Sequence, residues 1–100
     1  MRIITKRSIV NFYEIRPDSK NQLVLWYNKI SKNYFNNCKT VQNFFSDAEC
    51  IGEKRIVFNI KHNKYRLIAK FDYEHQMVWI CFIGTHTEYD KINALSVWNY

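Results

Sequence analysis

Read as a sequence, these 100 residues predict an α+β fold: a small, mostly antiparallel sheet with two or three helices packed on one face. Three observations lead there. Apolar residues recur with a helical period in the first half, the period changes to two from Arg55 onward, and the polar connections between the later runs are short enough to require hairpins. With 47% apolar and 17% aromatic residues, the chain has ample material for a packed core. One hundred residues suggest a single domain spanning 1–100.

Met1 to Thr5, with two isoleucines, reads as a short strand. A helix follows from about Lys6 to Arg16, with Ile9, Phe12 and Tyr13 on one face, and Pro17 ends it. Ser19 and Gln22 form a candidate capping box for a second helix. In it Leu23, Trp26, Tyr27, Ile30 and Tyr34 follow the i, i+3, i+4, i+7 pattern of core packing. Asn33 to Lys39 reads as a loop, Thr40 as the cap of a short helix bearing Val41, Phe44 and Phe45, and Gly52 as the end of the helical half.

From Arg55 to Ile60, Ile56, Phe58 and Ile60 alternate with Arg55, Val57 and Asn59, as a strand requires. Lys61-His62-Asn63 is a polar turn, so Lys64 to Asp72 should fold back as a hairpin arm. Its apolar face is Tyr65, Leu67, Ala69 and Phe71; its basic face is Lys64, Arg66, Ile68 and Lys70, along which a phosphate backbone could lie. Met77 to Ile83 is apolar almost throughout and reads as a central strand covered on both sides. Gly84 releases the chain, and Thr85 to Ile92 should lift His86, Tyr89 and Lys91 over the sheet edge.

Fifteen Lys and Arg against nine Asp and Glu give a net charge of +6, a field that attracts nucleic acid or an acidic partner. Cys38, Cys50 and Cys81 have neither zinc-site spacing nor the density of a secreted disulfide scaffold, so reduced thiols are expected. No apolar run approaches the roughly 18 residues of a membrane span, and the polar start lacks a signal-peptide core. The default address is the cytoplasm.

There is no Gly-rich phosphate loop, GxSxG elbow, HExxH or paired acidic cluster suited to magnesium. What remains is Lys64, Arg66, His86, Tyr89 and Lys91, a set sufficient without a cofactor for RNA cleavage by the ribose 2′-hydroxyl, which needs a base, an acid and positive charge. His86 is the first proton-transfer candidate, since an imidazole titrates near neutrality. Each residue also has a plainer reading: His86 as a surface histidine, Arg66 in an ion pair with Asp72 or Glu88, Tyr89 packed on the sheet, and Lys64 and Lys91 solvated. Arg55, Lys61, His62 and Lys70 are expected as further RNA contacts.

The segments MRII, LWY, IVFNI, NKYRLI and FIGTHTEYDKI, in this order and spacing, resemble the HigB toxins, type II toxin–antitoxin mRNA endonucleases of the RelE-like superfamily. NKYRLI and GTHTEYDKI are the more specific of these, and Asn93 to Tyr100 lie outside the resemblance. The resemblance implies a RelE-like fold and mRNA cleavage on the ribosome. It also implies inhibition by a HigA-type helix-turn-helix antitoxin, through which operator DNA is bound indirectly. It matches Lys64, Arg66, His86, Tyr89 and Lys91 to the active site, leaving open which is base and which acid. A basic binding module that does not cut RNA, or an inactive homologue kept for its antitoxin complex, would share the charge and the fold.

Overall fold

In the computed structural model, which describes residues 1–100, the chain runs β1 (Arg2–Ile3), α1 (Lys6–Ile15), a 3-10 turn (Pro17–Ser19), α2 (Lys20–Ser31), α3 (Cys38–Gln42), β2 (Glu49–Gly52), β3 (Arg55–Ile60), β4 (Tyr65–Asp72), β5 (Met77–Thr85) and α4 (His86–Tyr89). The strands form one sheet in the order β1-β5-β4-β3-β2, antiparallel throughout except for β1, which lies parallel to β5. The α+β class and the consecutive hairpins of β3, β4 and β5 are as the sequence leads one to expect. β4, not β5, is the central strand: β1 is only two residues long and pairs β5 at Met77 and Val78 alone.

Helices α1 and α2 cover one face. Ile9, Leu23, Trp26 and Ile30 pack with Phe58, Leu67, Phe71 and Ile80 in the main core, where the Trp26 and Phe58 rings meet edge to face at 5.4 Å. Tyr34 leaves the stripe because α2 ends at Ser31, and Phe35 fills the core position instead. The expected capping box of α2 and cap of α3 are both displaced. Pro17 starts a helical turn early, so Ser19 is already helical and its hydroxyl donates back to the Arg16 carbonyl at 2.7 Å. At α3 the cap is Asn37, whose side chain accepts from the Thr40 N–H at 3.0 Å, while the Thr40 hydroxyl accepts from the Asn37 N–H at 3.3 Å.

Three features depart from the sequence reading. Glu49–Gly52 forms the edge strand β2, which four mostly exposed residues ending in Gly do not announce. Cys38 and Cys50 are joined as a disulfide, with Cα atoms 6.3 Å apart, because α3 lies beside that unanticipated strand; Cys81 alone is a free thiol. The face of the sheet opposite the helices, expected to be open and basic, is covered. A register shift in the β4–β5 pairing leaves one more residue on β5 than on β4 beside Ile68 and Ala69, and Cys81 and Phe82 join Val57 and Ile68 in a second apolar cluster. Tyr89, Ile92, Ala94 and Val97 close over it.

A candidate active site at the end of β4 and β5

Arg66 is the second residue of β4, paired with Asn59 of β3 on one side and Gly84 of β5 on the other. Gly84 has no side chain to flank it, and a Cβ there would stand 2.6 Å from Phe82 Cζ and 3.0 Å from Glu88 Oε1. That vacancy lets α4 fold back over the strand end. The helix is started by a capping box: the Thr85 hydroxyl accepts from the Glu88 N–H at 3.1 Å, and Glu88 Oε1 accepts from the Thr85 N–H at 2.8 Å. The Thr85 N–H holds the Glu88 carboxyl below its ordinary pKa. The His86 N–H donates to the Lys64 carbonyl at 3.2 Å, tying the helix to the start of β4.

Arg66 Nη1 donates to the carbonyl of Asn63 at 3.2 Å and to its side-chain oxygen at 3.4 Å, and the guanidinium lies 5.7 Å from the centre of the Tyr89 ring. These contacts hold the fork by one nitrogen and leave the others to an incoming anion. Asn63 ends a run of three left-handed residues, Lys61, His62 and Asn63, at φ 53°, 53° and 73°, a costly backbone of the kind that concentrates at functional sites. Tyr89 packs its ring 6.4 Å from that of Phe82. Burial, with the carboxylates of Glu49 and Asp90, pushes its phenol up against the opposing pull of Arg66, so the hydroxyl stays protonated.

His86 is half-exposed, with Nδ1 3.0 Å from Asp90 Oδ2. A contact so open to water contributes little to stability, and with Nδ1 turned toward Asp90 it is Nε2 that is left open to a reactant. Asp90 and Asn63 were not singled out in the sequence. The i, i+4 spacing of His86 and Asp90 is the signal for the first; nothing local announces the second.

Of the remaining candidates only Lys91 adjoins this corner. Lys64 and Arg66 were expected to face the same way, but Lys64 precedes β4 and its ammonium pairs with Asp18, which also accepts from the Tyr65 hydroxyl at 2.7 Å. Both contacts hold the Asp18 carboxyl below its ordinary pKa. Lys91 follows α4, exposed, its N–H on the Glu88 carbonyl at 3.1 Å. Lys61 and His62 line a cleft of about 290 Å³ on the helix side with Trp26, Lys29 and Phe44. Arg55, expected as a surface RNA contact, is instead 5% exposed beneath the C-terminal residues. Lys70 lies over the Trp98 ring at 5.8 Å. Thus the structure brings Arg66, Tyr89 and His86 to one corner and takes Lys64 and Arg55 out of it. No three His, Cys, Asp or Glu side chains converge as metal ligands.

A five-stranded, mostly antiparallel sheet with helices on one face is compatible with the RelE-like fold. Residues 19–92 match the family of RelE-like toxic components of toxin–antitoxin systems described as HigB toxins. The chain is 31% identical over 97 residues to the mRNA interferase toxin HigB of Escherichia coli strain K12, covering 95% of this chain and 93% of that protein. It matches the mRNA interferase HigB of Escherichia coli O157:H7 and that of Shigella flexneri to the same extent. The chain belongs to the HigB toxin family.

Proposed function

We propose that this toxin is an endoribonuclease that cleaves mRNA at the Arg66–His86–Tyr89 corner. The observation that supports the reading is that Arg66, its guanidinium over the Tyr89 ring, and His86, three residues before Tyr89 on α4, lie where β4 and β5 end. Relatives called mRNA interferases, alike over nearly their whole length, support the substrate class.

In the proposed step the ribose 2′-oxygen forms a bond to the adjacent phosphorus as the bond to the 5′-oxygen breaks. His86 Nε2 takes the proton from the 2′-hydroxyl, and Tyr89 supplies one to the departing 5′-oxygen. Arg66 holds the phosphate oxygens and stabilises the charge that grows on them. Asp90 keeps the imidazole turned to the reaction, and Lys91 adds positive charge at the rim. The reaction needs no cofactor. The substrate is mRNA engaged on the ribosome, in the cytoplasm. The inhibitor is a HigA-type helix-turn-helix antitoxin, steered to the same basic surface and carrying the complex to operator DNA.

The test is cleavage of ribosome-bound mRNA by folded His86→Ala, Tyr89→Phe and Arg66→Ala, with His75→Ala as control. Loss of a proton-transfer group should lower the rate by on the order of 10²–10⁴, and the control should be unchanged. Wild-type rates in both His86→Ala and Arg66→Ala would move the site elsewhere.

A further inference from the structure

The C-terminal residues are held to the sheet by an unusual group. Arg55 is a charged side chain 5% exposed, and its Nη1 donates to two main-chain carbonyls, Ala94 at 3.0 Å and Val97 at 2.6 Å. Its guanidinium lies 5.6 Å from the centre of the Trp98 ring, which Lys70 approaches at 5.8 Å. A third bond, from the Asn99 N–H to the Cys81 carbonyl at 2.9 Å, ties the segment to β5. Burying a cation is costly unless its donors are met, and here Nε remains without a partner. A position that only filled the core would favour an apolar side chain.

The clamped segment continues directly from α4. Ile92 donates its N–H to the Tyr89 carbonyl at 3.3 Å, and Ile92, Ala94 and Val97 pack with Tyr89 over Val57, Ile68, Cys81 and Phe82. Arg55 is thus bonded to Ala94, which shares with Ile92 and Tyr89 the cover of the second apolar cluster, and Arg66 rests against Tyr89. A helix of four residues cannot hold its own position.

We infer that Arg55 is a positioning residue for RNA cleavage, which clamps Asn93–Tyr100 across the sheet and thereby fixes α4, with Tyr89 and His86, over the reacting phosphate. The inference rests on the cleavage reading above. Arg55 touches no substrate; it acts through the strap. Displacing a reacting group by about 1 Å can cost on the order of 10²-fold in rate, so a loosened strap should lower kcat more than it raises KM.

Cys81 provides an independent gauge of the strap, since it is the free thiol and is fully buried under it. The experiment measures Cys81 alkylation, with the disulfide left intact, and kcat and KM for mRNA cleavage in Arg55→Met, Arg55→Lys and Trp98→Ala. In Arg55→Met, alkylation should speed up at least ~10-fold and kcat fall by about 10²-fold with KM within about twofold of wild type. Arg55→Lys should recover part of both. If Arg55→Met does not fold, Trp98→Ala, altered at an exposed ring, should show the same two changes in smaller measure. An exposed Cys81 with wild-type kcat overturns the inference, and so does a protected Cys81 with kcat unchanged. If the wild type cleaves no mRNA, the proposed function fails and this inference with it, while Cys81 protection still reports whether the clamp exists.

Discussion

Gly84 lacks a Cβ at a point where Phe82 and Glu88 have already taken the space. Its backbone sits beside Arg66, the Phe82 ring supports Tyr89, and Glu88 closes the cap of α4, so one hydrogen in place of a methyl group serves three neighbours of the site. The neighbouring ring belongs to the second core cluster and cannot swing into solvent. Gly84→Ala should therefore cost about 1–3 kcal/mol through overpacking. Cleavage should fall further than the lost folded fraction explains, because the ring that moves carries Tyr89. Urea unfolding alongside cleavage of mRNA checks both, and wild-type values in both would mean that α4 shifts freely.

Helix α2 is the element on which the main core depends. Leu23, Trp26 and Ile30 are fully buried along one stripe, and the Trp26 indole meets Phe58 of the sheet. Trp26→Ala should destabilise the protein by roughly 3–5 kcal/mol, since it removes these contacts and leaves a cavity. Trp26→Phe should cost far less. The indole N–H is buried without a hydrogen-bond partner, so losing it sacrifices no bond. Denaturant midpoints of the two variants decide the matter: equal losses would show that the nitrogen has a partner in solution, and a loss below about 1 kcal/mol for Trp26→Ala would put the stripe in water.

The whole molecule carries a net charge of +6, but its basic side chains are not equally available. Arg55 is spent on the strap, Lys64 on Asp18 and Lys70 on Trp98, which leaves Arg66, half-free, at the proposed site. RNA affinity should fall as salt rises, with a slope of about −0.7 per phosphate contacted by a single strand. Arg66→Ala should reduce that slope by ~0.7, whereas Arg55→Met should leave it unchanged. Titration of a non-cleavable oligonucleotide at several salt concentrations reads both, and an equal fall in slope for the two variants would mean that RNA reaches beneath the strap.

What the sequence determined by itself was whatever near neighbours encode. The helical period of Leu23, Trp26 and Ile30, the alternation through Tyr65–Phe71 and the short turns between strands were sufficient for the helices, the three-strand meander and its antiparallel sense. The run GTHTEYDKI likewise placed His86 and Tyr89 together beyond the last strand, because residues three apart fall on one face of a helix. The tertiary structure alone decided which cations are free. Lys64 meets Asp18 across 46 positions and Arg55 meets Val97 across 42, and no local pattern marks either partner. The same holds for β2, whose four residues pair only because β3 presents an edge, and for the disulfide that β2 brings within reach of α3. Period and turn length are properties of a short stretch of chain, whereas the burial of a charge depends on what the rest of the fold lays over it.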